Sequence, residues 1–173
     1  AEQKDVLLVH SAGNENYNLD SINVFPNANL AAYKKQASSF ITVGASSDTL
    51  ITESSIAADF SNYGKQNVDL FAPGVKIYST LPGINVYGNQ DGTSMATPIV
   101  TGVAAILRSY YPSLSAKQVK TILEKSVYVP AASAPCLLPG NSSISTPFSR
   151  LSKTGGIVNA YNAVALANST GNK

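Results

Sequence analysis

Asp91-Gly92-Thr93-Ser94-Met95-Ala96-Thr97-Pro98-Ile99-Val100-Thr101-Gly102-Val103-Ala104-Ala105-Ile106-Leu107 decides how this chain is read. From Gly92 to Leu107 no side chain is charged. Small, β-branched and aliphatic residues fall on all sides of a helical wheel, which predicts a helix buried all round. The run is short for a bilayer and contains Gly, Ser, Thr and Pro, so a core helix fits better than a membrane span. Proline is accommodated in the first turn of a helix, where its missing N–H is not needed. Pro98 therefore places the helix start close to Ser94. That puts a hydroxyl at the positive end of a buried helix, behind a tight Gly-Thr entry. Gly92 permits a sharp turn and the close approach of a substrate, and the helix N-terminus favours developing negative charge. A serine here is either a plain N-cap or a nucleophile.

The 173 residues suffice for one domain with a real core. Charged residues make up 13%, well below the usual quarter, and Gly, Ser, Thr and Asn are plentiful. That balance suits a secreted or envelope protein. A net charge of +2 without a basic patch argues against nucleic acid as a partner. The single cysteine, Cys136, excludes an intrachain disulfide and a multi-cysteine metal site. With no cationic neighbour in Ala-Pro-Cys-Leu-Leu-Pro-Gly, it reads as a half-buried structural thiol. Neither a signal peptide nor a membrane-spanning run is present. The first residue is Ala1 rather than Met, and a longer natural chain is expected.

Val6-Leu7-Leu8-Val9 reads as a strand buried on both faces of a parallel sheet. It runs into His10-Ser11-Ala12-Gly13-Asn14-Glu15-Asn16, and loops at the carboxyl ends of parallel strands are where α/β folds place their sites. Residues 15–39 form a long polar connection. Residues 40–45 are a second buried strand, 60–64 a turn, and 68–74 a third strand ending in Pro-Gly. Residues 75–80 and 84–87 alternate around Leu81-Pro82-Gly83 as a hairpin with one wet face. Ser115 and Gln118 make a capping box. Val119, Ile122, Leu123 and Val127 then line one face of a helix with lysines opposite. Residues 128–153 read as a long loop. A helix capped by Asn159 follows, and 168–173 read as a disordered tail. Asn141-Ser142-Ser143 and Asn168-Ser169-Thr170 match the glycosylation pattern, which chance often supplies. The fold class is α/β: a mostly parallel sheet with flanking helices and a buried central helix after the serine.

Gly92-Thr93-Ser94-Met95-Ala96-Thr97-Pro98 resembles the nucleophile motif of the subtilisin-like serine proteases, the subtilases. Ala12-Gly13-Asn14 resembles their oxyanion segment. Residues 60–64, 68–74 and 155–163 also look like subtilase sequence. The resemblance runs from about Val6 to Leu166 and covers the second half of a subtilase catalytic domain. It implies a subtilisin-like fold incomplete at its N-terminal side, with residues 1–167 the C-terminal portion of a peptidase domain. It implies a serine endopeptidase that forms an acyl-enzyme at Ser94, with the Asn14 amide donating to the oxyanion beside the Ser94 N–H. Ser11, Ala12 and Gly13 are expected to line the substrate. The family carries an aromatic-Pro pair at the floor of its specificity pocket. Phe25-Pro26 matches this loosely, and no residue is assigned to it.

Serine proteases need a general base for the Ser proton and an acid to hold that base. Subtilases supply them in the order Asp, His, Ser. The one histidine, His10, lies on the strand before the oxyanion loop, not at an upstream helix start, so the role is not transferred to it. No residue matches the acid. The chain alone is expected to be inactive. Its partners are a protein or peptide substrate and the upstream half of the same domain, or a second copy meeting an uncovered sheet edge and apolar face. No cofactor and no metal is expected. Calcium, frequent in subtilases, stays open for an intact domain, because no Asp/Glu cluster here has suitable ligand density. An extracellular or cell-envelope location is expected. An α/β-hydrolase would need a His after Ser94, and a nucleotide-binding loop a Gly-Lys-Ser/Thr signature, and both are missing. The alternative is a non-catalytic subtilase-like binding or structural module.

Overall fold

The computed structural model describes residues 1–30, 35–52 and 55–170. In chain order its elements are β1 Leu8–Ser11, β2 Asn29–Leu30, β3 Lys35–Gln36, β4 Phe40–Ser46, α1 Thr49–Thr52, β5 Leu70–Pro73, β6 Ile77–Thr80, β7 Tyr87–Gln90, α2 Thr93–Tyr110, α3 Ala116–Lys125, β8 Leu137–Leu138, β9 Asn141–Ser145 and α4 Ala160–Ser169. All seven residues of β4 are buried. A strand buried along its whole length belongs in the middle of a parallel sheet. β4 indeed lies between β1 and β5, parallel to both. Ile41, Val43 and Ala45 face α2 in a core that also takes Leu70, Val100, Leu107, Val119 and Leu123. A second cluster on the other side gathers Ala12, Phe71, Phe148 and Leu151.

β1 differs from its expected form. It is shifted two residues along, to Leu8–Ser11, and it is an edge strand. Val6 and Leu8 stay 45% and 43% exposed because, among the described residues, no strand covers that side. The outer edge of β5 is shielded instead: Phe71 N–H donates to Gly156 O and Val158 N–H to Phe71 O.

α2 also departs from expectation. Thr93, Ala96, Val100, Val103, Ala104 and Leu107 are buried, whereas Ser94, Pro98, Thr101, Gly102, Ala105 and Ile106 are exposed. An all-apolar composition thus leaves an uncovered apolar stripe rather than a helix buried all round. Pro98 is the sixth residue of α2, past the first turn. Its ring removes the bond that the Ser94 carbonyl would accept. The exposed position of Ser94 lets solvent satisfy that carbonyl, and Thr97 Oγ1 braces the turn by donating to Thr93 O at 2.8 Å.

The capping box of α3 forms as expected: Gln118 N–H reaches Ser115 Oγ at 3.3 Å and Ser115 N–H reaches Gln118 Oε1 at 2.8 Å. Asn159 caps α4 through Asn162 N–H at 2.9 Å. The disorder expected from 168 does not hold for 168–170, since α4 continues through Asn168 to Ser169 and Thr170 N–H closes on Leu166 and Ala167 carbonyls. Alanine-rich sequence extends a helix readily; residues 171–173 lie outside the described residues. β6 and β7 form a hairpin where one was expected, but its second strand is Tyr87–Gln90 rather than 84–87, and both faces are largely exposed rather than one. Within the expected 128–153 loop, β8 and β9 form a further hairpin, packed through Pro135 O to Ile56 N–H and Gly140 N–H to Asp59 O. Cys136 is fully rather than half buried, and that burial pushes its thiol pKa up.

A charged network closes the amino end of β5. Lys120 Nζ lies 3.0 Å from Asp69 Oδ1 and donates to Phe40 O, Lys153 Nζ bridges Asp69 and Glu124, and Thr42 N–H donates to Asp69 Oδ2 at 2.7 Å. Breaking a buried pair from one side typically costs roughly 3–5 kcal/mol. Lys153 and Thr42 remain for Asp69, so Lys120→Met is expected to cost about 2–3 kcal/mol in urea unfolding, and the Lys120→Met/Asp69→Asn pair less than the sum of the singles. His10 is half-buried on β1, its ring 5.8 Å from that of Phe40, and desolvation lowers its pKa. The fold therefore favours neutral His10. Stability is expected to be fully present above the unfolded value near 6.5 and to decline as pH falls through the lowered folded value. His10→Gln should flatten that decline in a pH series of thermal unfolding.

Candidate active site

Two loops meet beyond the carboxyl ends of the strands. One follows β1 and carries Asn14; the other opens α2 and carries Ser94. Gly92 takes φ 152°, ψ 157° as the N-cap of α2, a conformation that excludes a side chain. Its carbonyl then accepts from Met95 N–H and Ala96 N–H. Thr93 N–H donates to Asn14 Oδ1 at 2.9 Å. Of the four N–H groups that a helix N-terminus leaves open, here those of Gly92, Thr93, Ser94 and Met95, three are used, with Gly92 N–H donating to Gly74 O. The fourth belongs to Ser94 and has no partner among the described residues. Ser94 is the second residue of α2 and exposed, not its cap.

Thr93 orients the asparagine. Its Oγ1 accepts from Gly13 N–H at 3.1 Å and donates to Asn14 Oδ1 at 2.9 Å. Asn14 Oδ1 thus takes two donors from Thr93. The carboxamide oxygen is fixed inward and Nδ2 is left to point away, toward Gly92, where an added Cβ would meet it at 3.5 Å. Two donors, Asn14 Nδ2 and Ser94 N–H, are therefore held ready beside one hydroxyl at the positive end of an 18-residue helix. Such an array suits an oxygen that gains negative charge.

Asn62 holds the other side of the loop. It is 0% exposed; its Oδ1 accepts from Glu15 N–H and Tyr17 N–H, and its Nδ2 donates to Ala12 O at 2.8 Å. Gly13 has φ 104°, and a Cβ there would strike Asn62 Nδ2 at 2.4 Å. The sequence reading passed over both Thr93 and Asn62. The first lies inside the motif that was read for Ser94, and the second in the 60–64 turn, without a spacing that ties either to Asn14.

The structure separates the three residues expected to line the substrate. Ala12 N–H donates to Val43 O and its carbonyl accepts from Asn62. Gly13 N–H is taken by Thr93 and its carbonyl by Asn62 N–H. Their polar backbone groups are spent inside the protein. Leu8 and Ala12 N–H groups point at β4, so by the alternation of a parallel ladder the Ser11 N–H and C=O point to the open edge. A cavity of about 80 Å³ touches Ala12, Val24 and Pro26, and deeper down His10 and Asp69. Ser94 and Asn14 do not line it. His10 thus faces a cavity away from the nucleophile. Among the described residues no three of His, Cys, Asp and Glu gather where a metal ion would be held.

The subtilase family model matches residues 1–163. Subtilisin DY from Bacillus licheniformis is 41% identical over 98 residues, 57% of this chain and 33% of its own length. Subtilisin E from Bacillus subtilis is 37% identical over 126 residues, 73% of this chain and 29% of its own. Among solved structures, a patellamide maturation protease superposes with a TM-score of 0.69 at 30% identity, covering 96% of this chain and 53% of its own. A protease from Pseudoalteromonas arctica gives 0.67 at 28%, with 96% and 44% covered. The chain thus spans about a third of its sequence relatives and about half of these structures. With a subtilisin-like fold and a match over nearly its whole length, the chain belongs to the subtilase family of serine proteases.

Proposed function

We propose that this chain is the nucleophile-bearing portion of a subtilisin-like serine endopeptidase and that it depends on groups outside itself for its base and acid. The observation that carries this is the pair of unspent donors, Ser94 N–H and Asn14 Nδ2, fixed beside the exposed Ser94 hydroxyl. In this reading Ser94 Oγ attacks the scissile carbonyl, the carbonyl oxygen moves between the two donors, and the amine leaves to give an acyl-enzyme. Ser11 precedes the Asn14 loop, and the edge that its outward N–H and C=O open onto is left to the upstream half. An unassisted serine hydroxyl is a poor nucleophile at neutral pH. His10, held neutral on the far side of Ala12, does not supply the base. The open edge of β1 and the exposed stripe of α2 suit the upstream half of the domain. An extracellular or envelope setting goes with this function; among the described residues no helix is long and apolar enough to cross a membrane.

Labelling with a fluorophosphonate tests the reading. The folded chain alone is expected to stay unlabelled, to label when the upstream half is supplied in trans, and to lose labelling as Ser94→Ala. Labelling of the chain alone would show that a base reaches Ser94 without outside help. In the complemented enzyme Asn14→Ala is expected to lower kcat by about two to three orders of magnitude with little change in KM. This figure is carried over from the corresponding asparagine of a subtilisin, where its loss costs roughly 2.7–4 kcal/mol. Thr93→Val removes the hydroxyl that orients Asn14 while keeping its backbone N–H. A fall in kcat of about tenfold is expected, again with KM nearly unchanged, since one neutral hydrogen bond contributes about 1 kcal/mol.

A further inference from the structure

Asn14 sits in a loop that the chain would not hold by itself. Gly13 before it has φ 104° and Asn16 after it φ 52°, both in the left-handed region. The segment from Phe60 to Tyr63 supplies the missing support. Ala12 O accepts from Asn62 Nδ2 at 2.8 Å, and Gly13 O accepts from Asn62 N–H at 2.9 Å. Glu15 N–H and Tyr17 N–H donate to Asn62 Oδ1 at 3.1 and 2.7 Å, and Glu15 Oε2 accepts from Asn62 Nδ2 at 2.8 Å. Asn16 N–H goes to Phe60 O, and Tyr17 O accepts from Tyr63 N–H. Asn14 is the exception, its side chain turning to Thr93. One carboxamide thus grips the loop on both sides of the oxyanion donor and leaves that donor out.

The grip has one orientation and a firm base. Two N–H donors meet only the oxygen of Asn62, and a carbonyl with a carboxylate meets only its nitrogen. Asn62 is fully buried, as is Ser61 beside it. Ser61 Oγ donates to Asn62 O and accepts from Ala45 N–H, both at 2.9 Å, which ties Asn62 to the central strand β4. Buried polar side chains whose groups are all satisfied rigidify what they join. A catalytic donor must be held within about 0.5 Å of its productive place by such supports. We propose that Asn62 is a positioning residue of the oxyanion site: it sets the place of the Asn14 amide through the backbone on either side, and its effect on the reaction passes through Asn14. The proposal rests on the protease reading of Ser94.

A double-mutant cycle on turnover separates positioning from plain stability. Asn62→Asp keeps the size of the side chain and an oxygen for Glu15 and Tyr17 N–H, but sets a second carboxylate oxygen against Ala12 O and Glu15. In the complemented enzyme it is expected to lower kcat about tenfold and to change KM by less than about twofold, the scale of one or two lost hydrogen bonds. In an Asn14→Ala background the same substitution should lower kcat by less than about twofold, because the amide it positions is gone. Adding Glu15→Gln to Asn62→Asp returns a donor to face the new carboxylate and should recover about threefold of the loss. If circular dichroism shows Asn62→Asp unfolded, Ser61→Ala carries the cycle. It cuts the tie to β4, leaves the Asn62 side chain whole, and should cost about threefold in kcat with Asn14 present and almost nothing without it. An equal loss of kcat in both backgrounds, or a loss carried by KM, would overturn the positioning role and leave the protease reading intact. A complemented enzyme that never acylates Ser94 would overturn both.

Discussion

The site depends on one hydroxyl that works in both directions. Thr93 Oγ1 accepts from the Gly13 N–H and donates to Asn14 Oδ1, while the Thr93 N–H donates to the same oxygen. Four atoms of two loops are thereby locked with each donor and acceptor assigned. A carboxamide left to itself presents either end to solvent. Here its oxygen is claimed twice, so its nitrogen must face the space beside Ser94. The inward oxygen also occupies the Thr93 N–H, and that leaves the Ser94 N–H as the open donor of the helix end. Preorganisation of this kind is what a transition-state charge rewards, because no dipole needs to turn when the charge appears.

Much of the fold was legible because its signals are local. The mostly apolar run at residues 40–45 announced a buried strand, Ser115 with Gln118 announced a helix start, and Asn159 announced another. The serine and the asparagine were legible through short strings whose residue types carry their chemistry. What escaped was relational. Thr93 and Asn62 act on residues 79 and 50 positions away, and no periodicity connects such pairs. The β1 strand and the outer face of α2 were read as buried from their composition. Composition reports what a surface needs, whereas exposure depends on whether another surface stands against it. The β8–β9 hairpin was missed because prolines, glycines and serines dominate its stretch, and they mask two short strands.

The spent backbone of Ala12 and Gly13 holds the Asn14 loop to its neighbours. The polar groups of Ala12 and Gly13 tie the loop to β4, Thr93 and Asn62, while those of Ser11 lie on the open edge of β1. Strand addition at such an edge recognises backbone and is tolerant of sequence.

The long separations in the chain also set an order in time. The bonds that align Asn14 join residues 79 and 80 apart, and the Asn62 brace spans 50. Closing loops of that length is entropically unfavourable until the sheet between them has formed. The donors beside Ser94 therefore come into register late, after β1, β4 and β5 are paired. In a newly made chain the Ser94 hydroxyl has neither donor beside it, and the site exists only once the fold does.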